Sequence, residues 1–312
     1  MFSSLLFLIG GCGGNTDKAS AVPVVGFVQS FEDATIDEAR KGFYAALKEG
    51  GFEDGKTVKI IYRNAQGDAA TLNQILDYFI GENVALLATN TTVPTITAVQ
   101  KTNKIPVCMM VAPRPDIAGL ALADGSTPPN LSGTFETLAY IDTSVALIKQ
   151  VFPQAKRVGT IFNSSEPNSV NSVGRLRKMC ASLGLELLEG SVTSSNETQQ
   201  VVASLIDQKI DVFFALPDNI IFASFETVYK TASDKKIPIV SSEAGLVQRG
   251  AFIAYGADLY LWGKQAGESA VKILKGEKPP APDEVRVRKR IYSQTAATLL
   301  GLTPPQGFEK LK

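Results

Sequence analysis

The chain has 312 residues, 45% hydrophobic and 20% charged, with 31 Lys plus Arg balanced by 31 Asp plus Glu. That length leaves room for two compact α/β lobes, and the even charge offers no basic excess for nucleic acid and no acidic excess for a disordered chain. Histidine is absent and the three cysteines, Cys12, Cys108 and Cys180, stand far apart, so neither a catalytic imidazole nor a zinc or redox site is expected, and no metal or cofactor.

In chain order, residues 1–9 (MFSSLLFLI) form an apolar run that ends in Gly10, Gly11 and Cys12. The run is too short to span a bilayer and fits the apolar core of a signal peptide. Small residues before a cysteine resemble a bacterial lipobox. The expectation is a lipoprotein signal and tether over 1–21, with Cys12 lipidated and membrane attachment through that anchor only. No Lys or Arg precedes Cys12, which departs from the usual signal.

Strands then alternate with amphipathic helices. A strand over 24–28 leads to a helix over 35–47, capped by the Thr35/Glu38 box. Next come a strand (57–62), a helix (71–80), a strand (84–88), a helix (94–102) and a strand (106–111). This order specifies a parallel sheet with helices on both faces. A Pro/Gly/Asn-rich stretch over 125–133 interrupts the pattern, which then restarts. Helices are expected over 139–151, 167–183, 197–208 and 220–233, alternating with strands over 157–162, 185–192, 211–215 and 237–240. A strand (251–255), a helix (259–275), a strand over 285–291 and a short helix ending near residue 302 complete the chain. Two similar halves in series give the expected fold class: α/β, two Rossmann-like doubly wound lobes joined by hinge strands. The expected division is 22–131 plus 252–312 for lobe 1 and 132–251 for lobe 2.

Residues 50–57 (GGFEDGKT) match the P-loop pattern, but they follow a helix and open a strand. A phosphate loop needs the reverse order, so the segment reads as a helix C-cap and turn. The basic run 286–290 (RVRKR) reads as a solvated strand face.

In doubly wound sheets ligands meet the carboxyl ends of the strands. Those positions hold Phe31, Glu32 and Asp33 after the first strand, and Asn90, Thr91 and Thr92 after the third. In the second half they hold Asn163, Ser165, Glu166 and Asn168, then Asp218 and Asn219, then Glu243. Hydroxyls, amides and acids suit a small polar solute. Helix-start amides near Thr92 would hold a carboxylate. Glu32, Glu166, Asp218 or Glu243 would meet an ammonium, and Phe31 and Tyr255 an apolar body. N-capping competes as an explanation for the Ser, Thr, Asn and Asp positions.

Several stretches carry a family resemblance: 37–43 (DEARKGF), 64–68 (NAQGD), 162–169 (FNSSEPNS), 217–219 (PDN), 264–267 (KQAG) and 273–279 (ILKGEKP). With them the chain resembles the ABC transporter substrate-binding lipoproteins of the tryptophan/tyrosine-transporter class, which have the type I periplasmic-binding fold. The resemblance implies an extracytoplasmic, non-catalytic protein whose lobes close on an amino-acid-like ligand. Its implied partners are an ABC permease and a separate ATPase. Two loops depart from the family pattern. Residues 32–34 read Glu-Asp-Ala where many relatives have Glu-His-Pro. Residues 112–115 read Ala-Pro-Arg-Pro where relatives often have Thr-Asp-Pro.

Overall fold

The computed structural model describes residues 22–311; the reading of 1–21, Cys12 included, lies outside them. The first half gives β1 (Val24–Gln29), α1 (Ala34–Glu49), β2 (Lys59–Asn64), α2 (Ala69–Gly81), β3 (Leu86–Asn90), α3 (Thr92–Lys101), β4 (Val107–Met110) and β5 (Leu131–Phe135). The second half continues with α4 (Tyr140–Val151), β6 (Arg157–Phe162), α5 (Pro167–Ser182), β7 (Glu186–Ser191), α6 (Thr198–Asp207), β8 (Val212–Ala215), α7 (Asn219–Ala223), α8 (Phe225–Ser233) and β9 (Ile239–Ser241). After a 3-10 helix over Ala244–Arg249 come β10 (Ile253–Ala257), α9 (Leu259–Leu274), β11 (Asp283–Glu284), β12 (Arg288–Tyr292), α10 (Gln294–Leu300) and β13 (Glu309–Lys310).

These strands form two sheets, ordered β11-β5-β4-β3-β1-β2 and β13-β12-β10-β9-β8-β6-β7. Every named pair is parallel except β10 with β12. β3 and β4 are buried along their whole length, because helices cover both faces of the sheet.

The sheets correct the division of the chain drawn from sequence. β5 belongs to the first sheet, while β10, β12 and β13 belong to the second. Only 259–285 returns to lobe 1, where α9 packs on α1, β4 and β5. α1 and α9 meet backbone to backbone: a Cβ on Gly42 would come within 1.9 Å of the Tyr260 carbonyl, and one on Gly263 within 1.8 Å of the Ala39 carbonyl. The chain therefore crosses between lobes three times, at 135–140, 257–259 and 284–288. Of the strand expected over 285–291 only the part from Arg288 is strand, as β12, and β11 just before it, at Asp283–Glu284, belongs to the other sheet.

Two further differences have local causes. The helix expected over 220–233 breaks at Ser224, whose hydroxyl bonds back to Ile220 O and to Thr198 Oγ1. The basic run is paired with acids: Arg286 with Asp283 and Glu268, Arg288 with Glu136 and Glu284, and Lys289 with Asp258. The P-loop-like segment is a turn, with Gly51 at φ 95° and Gly55 at φ 77°, leading into β2.

Candidate functional site

The carboxyl ends of β1, β3 and β4 face those of β6, β8 and β9 across a cleft. Lobe contact is direct. Ile36, at the start of α1, is fully buried within the apolar cluster of lobe 2. Asp33 caps α1 through the amides of Thr35 and Ile36, at 2.9 and 3.0 Å. Its other carboxylate oxygen accepts from Arg249 Nη1 at 2.5 Å. Arg249 is itself fixed by Glu226 and lies 5.3 Å from the centre of the Phe225 ring. Asp33 thus joins the lobes and is not free for a ligand, while its neighbour Glu32 is exposed.

Between the lobes lie two adjoining cavities that share Asn219. The outer one, of about 410 Å³, has Phe31, Leu72, Val93 and Ile220 as apolar walls. Ser30, Asn163, Glu166, residues 65–69 and residues 193–196 complete it. The inner one, of about 20 Å³, is bounded by Thr92, Pro113, Glu136, Tyr140, Asn168, Phe222, Glu243 and Trp262. Backbone strain gathers here. Val111 and Leu138, on the inner wall, hold φ of 52° and 63°, and Thr91 holds 87°. Such left-handed non-glycine residues cost about 1–3 kcal/mol each and persist where surrounding structure enforces them.

Glu166 accepts from Asn163 Nδ2 at 3.0 Å and from Asn219 Nδ2 at 2.5 Å. Burial, and then the nearby Asp218 carboxylate, push its pKa up to about 7. Asp218 is fully buried, with every bond direction used. It accepts from the amides of Asn163, Ile220 and Ile221 at 2.7, 2.8 and 3.1 Å, and from the Ser169 hydroxyl. It holds loops together and has nothing left for a solute. Asn90 Nδ2 ties β3 to Gln29 Oε1 and Ile36 O, while its Oδ1 is buried without a partner among the described residues, away from both cavities. Glu243 differs. Its Oε1 accepts from the Tyr140 hydroxyl, its Oε2 has no partner among the described residues, and burial pushes its pKa up to about 8.

Of the residues expected from sequence, Phe31, Thr92, Asn163, Glu166, Asn168, Asn219 and Glu243 line the cavities. Glu32, Asp33, Asn90, Thr91, Ser165 and Asp218 do not, and Tyr255 lies under Arg290 instead. Sequence reasoning missed Glu136, directly after β5, Tyr140, at the start of α4, and Trp262, on α9; the loop after β5 was not read because the strand itself was not expected. The one tryptophan, on the buried face of α9, was the available signal.

A cleft between two Rossmann-like lobes, built from facing strand ends, defines a two-lobed solute-binding protein. The chain belongs to the ABC transporter substrate binding protein family, whose family model matches residues 24–303. It is 36% identical over 253 residues to a tyrosine-binding protein of Clostridioides difficile, covering 81% of this chain and 73% of that one. Among solved structures it is similar to the ABC domain in complex with L-Trp from Streptococcus pneumonia, with a TM-score of 0.84 at 27% identity, over 91% of this chain and 96% of that one. It is also similar to the ligand-free, open structure of CD0873 from Clostridium difficile, with a TM-score of 0.68 at 31% identity, over 93% and 99% of the two chains. The better superposition on the complex, despite lower identity, agrees with lobes in contact. Members of this family bind small-molecule ligands outside the cytoplasm and work with permeases and ATPases. No helix among the described residues is long and apolar enough to cross a membrane.

Proposed function

We propose that this chain captures an aromatic amino acid between its lobes, without turnover, and hands it to an ABC permease driven by a separate ATPase. Lipidation of Cys12 would hold the protein at the membrane outside the cytoplasm. The observation that carries the ligand reading is the junction of the two cavities at the start of α3. That helix has no side-chain cap, and its third residue, Pro94, has no N–H. Thr92 borders the inner cavity and Val93 the outer one. Uncapped amides at a helix start favour a carboxylate. On one side lies an apolar-walled space of about 410 Å³, within the usual range for small-molecule sites. On the other side lie buried acceptors. A carboxylate flanked by an apolar body and a donor group is the outline of an α-amino acid. The names of the relatives, tyrosine-binding and L-Trp-complexed, support an aromatic side chain.

Calorimetric titration of the purified full-length chain with all twenty amino acids tests this reading. L-Tyrosine or L-tryptophan should bind most tightly. Saturation by a sugar with no heat from any amino acid would reject it.

A further inference from the structure

The inner cavity contains two buried side-chain oxygens that have no hydrogen-bond partner among the described residues. Glu243 is 2% exposed and Asn168 is 5% exposed, yet Glu243 Oε2 and Asn168 Oδ1 have no hydrogen-bond partner among the described residues. Both residues line the same cavity. Leaving such atoms buried and unpaired is costly, more so for a carboxylate. Asn168 Nδ2 is fixed on Pro217 O at 3.0 Å, so Oδ1 is the free end of that amide.

The protein supplies Glu243 with a hydroxyl from Tyr140 but with no cation. Arg288 packs over the Tyr140 ring, 5.8 Å from its centre, and is committed to Glu136 and Glu284. Glu136 adds further negative charge beside Glu243. The cavity of about 20 Å³ is just large enough for one water-sized group, and an ammonium is of that size. Trp262 and Phe222 complete the wall, and aromatic faces attract a cation.

We infer that the inner cavity is the seat of the ligand's primary ammonium, received by Glu243 Oε2 and Asn168 Oδ1. The ligand carboxylate then lies at the start of α3 and its body fills the outer cavity. This deepens the amino-acid reading above and selects one acid among the four that the sequence offered. Glu243 thereby sets specificity for an amine over its deaminated analogue. Because burial and Glu136 hold the empty Glu243 protonated near neutral pH, ammonium binding expels its proton: the O–H bond breaks, the carboxylate meets the ammonium, and the proton goes to buffer.

The test titrates full-length wild type, Glu243→Gln and Glu243→Asp with the twenty amino acids, 3-(4-hydroxyphenyl)propionate and indole-3-propionate. Buffers of differing ionisation enthalpy at pH 7 give the proton count. Wild type should prefer L-tyrosine or L-tryptophan over the des-amino acid by roughly 30-fold or more, the loss expected when one buried charge partner is removed. Glu243→Gln should erase most of that preference, bind the des-amino acids no worse, and release fewer protons. Glu243→Asp, which keeps the charge but withdraws it, should retain the preference at lower affinity. A Glu243→Gln protein with wild-type amine preference overturns the inference. If the tightest ligand is a non-aromatic amino acid and Glu243→Gln loses it, the aromatic reading fails and the ammonium seat stands. If no amino acid binds wild type, both fall.

Discussion

Asp218 and Glu243 are both buried acids at the carboxyl end of a strand in the same sheet, and their partners give them opposite roles. Asp218 answers three amides and a hydroxyl; Glu243 keeps one oxygen unanswered. Asp218→Ala should therefore act on stability. It removes the cap of α7 and leaves buried donors unpaired, for a loss of about 2–4 kcal/mol in urea unfolding. A folded Asp218→Ala protein with wild-type stability would show that the carboxylate is dispensable there. The acids at the site also set a pH dependence. Glu166 and Glu243 rise from 4.5 to about 7 and about 8 in the folded state. Between those limits the folded chain holds more protons than the unfolded one, so their contribution to stability is greatest at low pH and is lost as pH rises from about 4.5 to about 8. Urea titrations of ligand-free protein should show Glu243→Gln losing less stability than wild type over that window. The sequence could place these acids at strand ends. It could not show which were already saturated, because donors such as the Asn163 amide and Ser169 come from the end of β6 and the first turn of α5.

At the scale of elements, the start of α1 is where lobe 1 enters lobe 2. The capping residue Asp33 binds two amides of its own helix and Arg249 of the other lobe, while Ile36 sits in the partner lobe's core. The side chains of this ion pair are 11% and 2% exposed, so solvent screens it little, and an opening that parts Asp33 from Arg249 breaks it. Asp33→Asn keeps a competent helix cap but removes the charge. The free protein should then shift towards an open form, read as a larger radius of gyration in X-ray scattering. Ligand affinity should fall by the lost fraction of the closed state. An unchanged scattering curve would deny the pair any part in closure. The helices and strands that alternate regularly were legible from apolar periodicity. The short elements were not. The acidic pair of β11 and the basic run of β12 are three residues apart, and only the pairing of Asp283 with Thr134, against that of Tyr292 with Ile253, assigns them to different sheets. Local sequence puts the cap at Thr35 and Asp33 among the ligand contacts, whereas Asp33 is the cap; its partner Arg249 is 216 residues away.

At the scale of the whole molecule, three crossings join two sheets whose strand ends face each other, so one opening motion changes every wall of the cleft together. Ligand that binds both lobes favours the closed form by its difference in affinity for the two forms. Delivery then requires the clamp to stay near its permease. Residues 24–303 match the family, and no helix among the described residues is long and apolar enough to cross a membrane; the proposed anchor is acylated Cys12, with the stretch 13–20 as its tether. Acylation adds about 0.8 kcal/mol of membrane affinity per buried methylene, a quantity separate from folding and ligand binding. Cys12→Ala should therefore leave the melting temperature and the ligand affinity as in wild type while moving the protein from the membrane fraction to the soluble one. Labelled fatty acid fed to expressing cells should mark the wild-type chain and not the variant. A wild-type chain that stays unlabelled while sedimenting with membranes would place its attachment elsewhere and remove Cys12 from the anchoring argument.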